Sequence, residues 1–194
     1  MARDRASRPE ARPLRLFVAA DVPDEVRAWL DAAIDPVRVD LPGKWAPSRN
    51  WHVTLKFLGA TYPRLVAWVE GVCAEVAARH EPFRSRLTEL GAFPNPRRAR
   101  VLWAGLEDPD HRFAALASSM EEALAREFEA EKRPFAAHLT VARFDPPVPL
   151  GQRAATIPVE SEPFPVDRIV LYRSHLQRPA PRYEPLREFP LGGR

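Results

Sequence analysis

The sequence predicts an α+β fold of two lobes, each a mainly antiparallel sheet with helices outside it, related by a pseudo-two-fold axis around a central cleft. Three observations predict it. Alternating runs of strand length are interleaved with helical runs of period 3.6. The tripeptide His-x-Thr is written twice, as His52-Val53-Thr54 in NWHVTLKFLG and as His138-Leu139-Thr140 in AAHLTVARF, 86 positions apart. Each copy follows the same order of elements, a strand near Leu16 or Val101, then a helix, then a loop. Such a period is too long for a solenoid repeat and suits two lobes facing each other.

The elements follow in order. Residues 1–13 are polar and basic and are expected to form a flexible tail; residues 14–194 form one domain of two lobes. LRLFVAA reads as a strand, and PDEVRAWLDAAI as a helix with Pro23 early, acids in its first turn and Val26, Trp29, Leu30, Ala33 and Ile34 on one face. DLPGKWAP turns the chain into the strand WHVTLKFLG. A helix from Tyr62 to Arg79 buries Leu65, Val69, Val72 and Val76 and carries Cys73. PFRSRLTELGAF alternates as one strand, NPRR turns, and ARVLWAGL is the next strand. A helix from Pro109 to Ala130 directs Phe113, Leu116, Met120, Leu124 and Phe128 inward, and FAAHLTVARF follows it as a strand. The proline-broken end supplies two more strands, VDRIVLYRSHL and RYEPLREFPL.

Composition narrows the function classes. The 194 residues, 45% hydrophobic and 28% charged, suffice for one self-standing core, and 22 prolines against 8 glycines imply stiff connections. A single cysteine forms no intrachain disulfide and no CxxC pair, which fits a reducing cytoplasm. No apolar run approaches the length of a membrane span, and MARDRASRPEARP lacks the apolar segment of a signal peptide. A monomeric cytoplasmic protein without membrane contact is expected. The net charge is +3, with basic clusters over 3–15, 97–100 and 173–187, so an anionic partner such as nucleic acid fits. Arginine outnumbers lysine 26 to 3, a compositional skew that also accounts for part of this basicity.

In a strand, alternation puts His52 and Thr54 on one face and Val53 and Leu55 on the other, and the same holds for His138 and Thr140 against Leu139 and Val141. Opposed lobes then bring two imidazoles and two hydroxyls into one cleft. Three chemistries use two histidines. Metal binding lacks its usual spacings, since neither motif has Asp or Glu within three residues. A Cys73 nucleophile would lie mid-helix among apolar neighbours. General acid and base catalysis needs neither metal nor cofactor: at neutral pH one imidazole accepts a proton while the other donates one, and the two hydroxyls bond the nonbridging oxygens of a phosphate undergoing in-line displacement.

These stretches, together with RLFVAADVP, FPNPRRARVLWAGL and IVLYRSHLQRPAPRYEPL, resemble the two-histidine (2H) phosphoesterase superfamily, in particular its RNA 2′,3′-cyclic phosphodiesterase branch, also called 2′-5′ RNA ligases. The resemblance spans residues 14–190. It implies metal-independent hydrolysis of a terminal RNA 2′,3′-cyclic phosphate to a 2′-phosphomonoester, with a reverse 2′-5′ joining reaction in some members. RNA ends bearing the cyclic phosphate, tRNA fragments among them, are the partners it implies. By its pattern His52 is the general acid that protonates the departing 3′ oxygen, His138 is the general base that activates water, and Thr54 and Thr140 hold the phosphate. Arg143 matches a phosphate-contacting arginine, and Ser174 and Tyr183 match positions of the same pattern.

Strict alternation puts Arg143 on the core face, so its role requires the strand to end or bulge near Ala142. Lys56 has cleft parity and is expected on phosphate or sugar. Phe17 and Arg15 share a strand face, with Phe17 placed to stack on a base; Trp45 is expected to stack likewise, and Trp51 and Trp103 to pack inside. None of His80, His111 and His175 is expected in the site: His80 and His111 read as solvated structural residues, and His175 only follows Ser174 in sequence. Two competing functions use the same features: a cyclic phosphodiesterase for a small nucleotide, and a non-catalytic RNA-binding module.

Overall fold

Helical and strand periodicity become a mixed architecture in the computed structural model, which describes residues 12–151 and 156–193. The expected basic tail falls almost wholly in residues 1–11, outside the described residues. The first half runs β1 (Leu14–Asp21), α1 (Asp24–Asp40), the short β2 (Lys44–Trp45), β3 (His52–Thr61) and α2 (Pro63–Ala78). Next come β4 (Phe83–Ser85), β5 (Leu87–Phe93), β6 (Ala99–Leu106), α3 (Arg112–Leu124) and β7 (His138–Val148). The chain closes with β8 (Phe164–Val166), β9 (Arg168–His175) and β10 (Arg182–Pro190).

The main sheet is antiparallel in the order β10-β9-β1-β3-β7-β6-β5, with β2 on the edge of β7. The two expected sheets are thus wings of one sheet. They join through a single register pair between β3 and β7, Val53 opposite Leu139; beyond it β2 takes over the edge of β7, with Trp45 opposite Ala142. The duplication is plain in the register. His52 lies opposite Asp21 and Thr54 opposite Ala19 in one wing, while His138 lies opposite Gly105 and Thr140 opposite Trp103 in the other. Strands β4 and β8 form a separate two-stranded sheet. The expected single strand from Phe83 to Phe93 is therefore split, because Phe83–Ser85 pairs with β8 and Leu87–Phe93 pairs with β6.

Helix boundaries differ from expectation for identifiable reasons. Helix α1 continues through Pro36 to Asp40. Proline removes only one ladder bond there, and Val37, buried with Val26, Leu30 and Ile34, anchors the last turn. Trp29 turns outward at 50% exposure, its Nε1 donating to the Val159 carbonyl at 3.4 Å. Helix α3 begins late because Asp110 and His111 adopt positive φ, 51° and 55°. The Asp108 carboxylate then caps the helix, accepting from the backbone N–H groups of Phe113 (2.7 Å) and Ala114 (3.2 Å). Phe128 lies beyond the helix and stacks on Trp68 at 6.4 Å.

The helices cover the sheet face that carries Val53, Leu55, Leu139 and Val141, all buried in one continuous core. Burial of roughly forty side chains there is the main stabilising contribution, at about 1.5 to 3 kcal/mol for each large apolar group. Cys73 sits in this core with its thiol pushed up to about 12 by desolvation, so it is no nucleophile. No described helix is long and apolar enough to cross a membrane.

Candidate active site

In an antiparallel pair, the residues flanking a register pair are neighbours across the strands. With Val53 opposite Leu139, His52 therefore comes beside Thr140 and Thr54 beside His138. Val53 and Leu139 point into the core at 1% and 0% exposure. Alternation turns the four polar side chains the other way, where all four line one cavity of about 190 Å³.

Both strands then slip by one residue. Against β1 the pairing passes from Thr54–Ala19 to Lys56–Val18, skipping Leu55. Against β6 it passes from Thr140–Trp103 to Ala142–Leu102, skipping Val141. These bulges stand at equivalent places in the two copies and invert side-chain parity beyond them. The expected bulge that returns Arg143 to the cleft is thus one residue before Ala142, and Arg143 lines the cavity with no ion pair among the described residues.

The same slip overturns the expectation for Lys56. It is 4% exposed on the core face, and its Nζ donates to both Glu121 carboxylate oxygens at 2.8 Å and to the Glu129 carbonyl at 2.6 Å. It braces β3 against α3 and the segment leading to His138, away from any phosphate. Phe57 takes its place at the cavity wall, 56% exposed. Sequence reasoning missed Phe57 by applying strict alternation to one copy while allowing a bulge in the other; aligning HVTLKF with HLTVAR carries the signal.

The two imidazoles are held alike. His138 Nδ1 lies 2.8 Å from the carbonyl of Ala136, two residues back. A carbonyl only accepts, so Nδ1 carries the proton and Nε2 keeps its lone pair for the cleft. His52 likewise bonds the backbone of Asn50, two residues back. Burial lowers the His52 pKa to about 4; the Asn50 bond opposes this, while Arg27 and His138 add to it. His138 is lowered by burial first, opposed by the Ala136 bond, with Arg143 and Arg133 adding. Both shifts favour the neutral rings at neutral pH, and an anion between them would favour their charged forms.

Aromatic packing fixes the rings. Phe17 is on the cleft side but only 3% exposed. It stacks on His52 at 4.7 Å and on Tyr172 at 5.2 Å, with Tyr183 edge-on at 5.0 Å, so it supports His52 instead of offering a face to a base. Tyr172 donates to Asp21 Oδ2 at 2.7 Å, and Arg27 stands 3.5 Å from Oδ1 of the same carboxylate. On the other side, Phe93 lies edge-on to His138 at 5.3 Å and Trp103 at 6.5 Å. The Trp103 indole covers Gly91, where an added Cβ would come within 2.1 Å of it; only glycine fits there.

The remaining expected residues divide. Trp45 and Tyr183 line the cavity. Ser174 pairs with Tyr183 across β9 and β10, outside the wall, and Arg15 is exposed and likewise not part of the cavity lining. Trp51 is buried in the core, as expected. His80 bonds Ser119 Oγ at 2.9 Å, and His175 pairs with Glu184 at 2.5 Å, neither on the cavity. Asn50, unremarked in the sequence, donates from Nδ2 to the Pro181 carbonyl at 2.7 Å and so ties the β9–β10 loop to the turn before His52. Among the described residues no three His, Cys, Asp or Glu side chains gather as a metal-ligand set.

A family model described as the 2′-5′ RNA ligase superfamily matches residues 22–178. The chain belongs to that superfamily. The RNA 2′,3′-cyclic phosphodiesterase of Geobacillus stearothermophilus is 31% identical over 180 residues, which cover 91% of this chain and 57% of that protein. The protein of the same name from Methanothermobacter thermautotrophicus is 30% identical over 183 residues, 92% of this chain and 99% of that one. The crystal structure of TT0787 from Thermus thermophilus superposes with a TM-score of 0.80 at 32% identity, covering 93% of this chain and 99% of that one. For E. coli LigT complexed with 3′-AMP the TM-score is 0.72 at 28% identity, covering 92% and 98%. Superfamily membership and these folds agree with the α+β antiparallel architecture expected from the sequence.

Proposed function

We propose that the protein is an RNA 2′,3′-cyclic phosphodiesterase, converting a terminal cyclic phosphate to a 2′-phosphomonoester by paired-histidine acid and base catalysis. One observation carries this reading: the Val53–Leu139 register brings both His-x-Thr pairs onto one face and into one cavity. The names of the superfamily relatives support the reaction.

The steps follow from the side chains. Water beside His138 gives a proton to the free Nε2 while its oxygen bonds to phosphorus. The P–O3′ bond opposite breaks, and protonated His52 delivers its proton to O3′. A depressed pKa makes the His52 imidazolium a ready donor, and the phosphate anion supplies the field that charges it. Thr54 and Thr140 donate to nonbridging oxygens, and the Arg143 guanidinium offsets charge that builds on them. With a 5′-hydroxyl in place of water the same displacement joins two RNA ends through a 2′-5′ linkage.

Product analysis tests the reading. An RNA oligonucleotide with a 2′,3′-cyclic end, incubated with chelator present, is expected to yield the 2′-phosphate. His52→Ala and His138→Ala are each expected to lower turnover by at least about a hundredfold. Full activity in both variants would remove the mechanism.

A further inference from the structure

The catalytic cavity shares part of its wall with a neighbour. A second cavity, about 480 Å³, shares Trp45 to Pro47 and Pro179 to Ala180 with the first and extends beyond them to Ser48 and Arg49 and to the ion-paired Asp31 and Arg38. The first, at about 190 Å³, is smaller than the roughly 300 to 1,000 Å³ of sites that enclose a whole small ligand. It has room for the reacting phosphate and its sugar, so a longer substrate must continue elsewhere.

The shared ridge is fixed in place. Trp45 Nε1 donates to the Leu41 carbonyl at 3.2 Å, the Arg38 guanidinium lies 5.5 Å from its ring centre, and Asn50 holds Pro181. Past the ridge the charges are unequal. Arg38 is committed to Asp31 and Asp35. Arg49 is exposed, has no ion pair among the described residues, and rides on the rigid turn Ser48–Asn50. A planar cation on a rigid turn is suited to bidentate contact with a phosphodiester.

We propose that the second cavity is the subsite for the nucleotide 5′ to the cyclic end, with Arg49 on the first internal phosphodiester and Trp45 bordering its base. The inference rests on the hydrolytic reading above and refines it: the substrate is an oligonucleotide chain, and nucleoside cyclic phosphates are poor substrates for want of the second contact.

The test compares a nucleoside 2′,3′-cyclic phosphate with a trinucleotide carrying the same terminal nucleoside and cyclic end. The unaltered protein is expected to favour the trinucleotide in kcat/KM by about tenfold or more, the worth of one charged hydrogen-bonded contact. Arg49→Ala and Arg49→Glu are expected to erase most of that preference, the reversal more completely, while the mononucleotide rate moves less than about twofold. In parallel, affinity for a trinucleotide ending in 2′-phosphate, which is not turned over, is measured against salt. Arg49→Ala should flatten the log–log slope by about 0.7, one phosphate contact on a single strand. Equal efficiency on both substrates, or equal losses on both in the variants, overturns the subsite. If neither substrate is hydrolysed, the reading of the reaction fails instead; the binding assay then decides the subsite alone, and unchanged affinity and slope in both variants overturn it.

Discussion

Phe57 and Arg143 occupy the same position in the two halves of the molecule, each five residues beyond its histidine and each carried to the cavity wall by a bulge three residues beyond it. The duplicated backbone thus presents a flat apolar ring on one side of the cleft and a guanidinium on the other. A substrate with a phosphate at one end and a sugar and base at the other matches that asymmetry. Arg143→Ala is expected to lower kcat/KM by about 10- to 100-fold, since a hydrogen bond to a charged group is worth about 1.5 to 3 kcal/mol. Arg143→Lys should recover part of this, because a point charge replaces a planar fork. Steady-state kinetics decide the matter, and an unchanged kcat/KM in Arg143→Ala would place the cation away from the phosphate.

Lys56 predicts the opposite pattern. Its Nζ satisfies Glu121 and the Glu129 carbonyl from within the core, so Lys56→Met leaves both acceptors short and is expected to cost about 1 to 3 kcal/mol of stability. For a chain of this size that is roughly a 2 to 12 °C drop in Tm. Because the side chain faces away from the cleft, KM at 25 °C should stay within about threefold. Calorimetry beside kinetics separates the two roles, and a raised KM at unchanged Tm would return Lys56 to the cleft.

Alternation alone misplaces both Lys56 and Arg143, for one physical cause, and only the family resemblance returns Arg143 to the cleft. Periodicity reports which face a residue takes only while the strand keeps register, and a bulge resets it. The order of strands and helices does not depend on register, and the two His-x-Thr pairs with their shared face precede the bulge in each strand, so all are readable from periodicity. Phe57, Lys56 and the supporting role of Phe17 depend on the slip or on which rings close over a residue, and neither is written in local pattern. The continuation of α1 past Pro36 and the split of β4 from β5 are likewise settled by tertiary partners, Val37 in the core and β8 in the second sheet. Asn50 carries no local signal at all, since its partner lies 131 residues away.

That long-range bond gives a third prediction. Asn50 links the turn before His52 to the Pro179–Pro181 wall of the cavity through its side-chain amide, while the hydrogen bond to the His52 ring comes from its backbone. Asn50→Ala therefore loosens the wall but leaves His52 held. The expected result is a rise in KM of about 5- to 20-fold with kcat little changed, the worth of about 1 to 2 kcal/mol. Asn50→Asp, equal in shape but unable to donate, should resemble or exceed it. A loss confined to kcat would mean that the side chain acts on His52 itself.

The depressed histidines make the pH dependence of stability and of catalysis separable. The His52 pKa is near 6.5 in the unfolded chain and is lowered to about 4 by burial in the folded one. Between those values the unfolded chain binds a proton that the folded one does not. Stability from this group is therefore full above about pH 6.5 and is lost as pH falls toward 4, on the order of 1 to 3 kcal/mol because the half-buried ring keeps part of its hydration. Tm should fall across that window, and less steeply in His52→Gln. A bound phosphate reverses the sign by stabilising the imidazolium, so inorganic phosphate should raise Tm more at pH 5.5 than at pH 8. The same field displaces catalysis: the bell for kcat, which reports the complex, should sit at higher pH than the bell for kcat/KM, which reports the free protein. Coincident bells, or a phosphate effect on Tm that is equal at both pH values, would mean that the anion does not lie between the two rings.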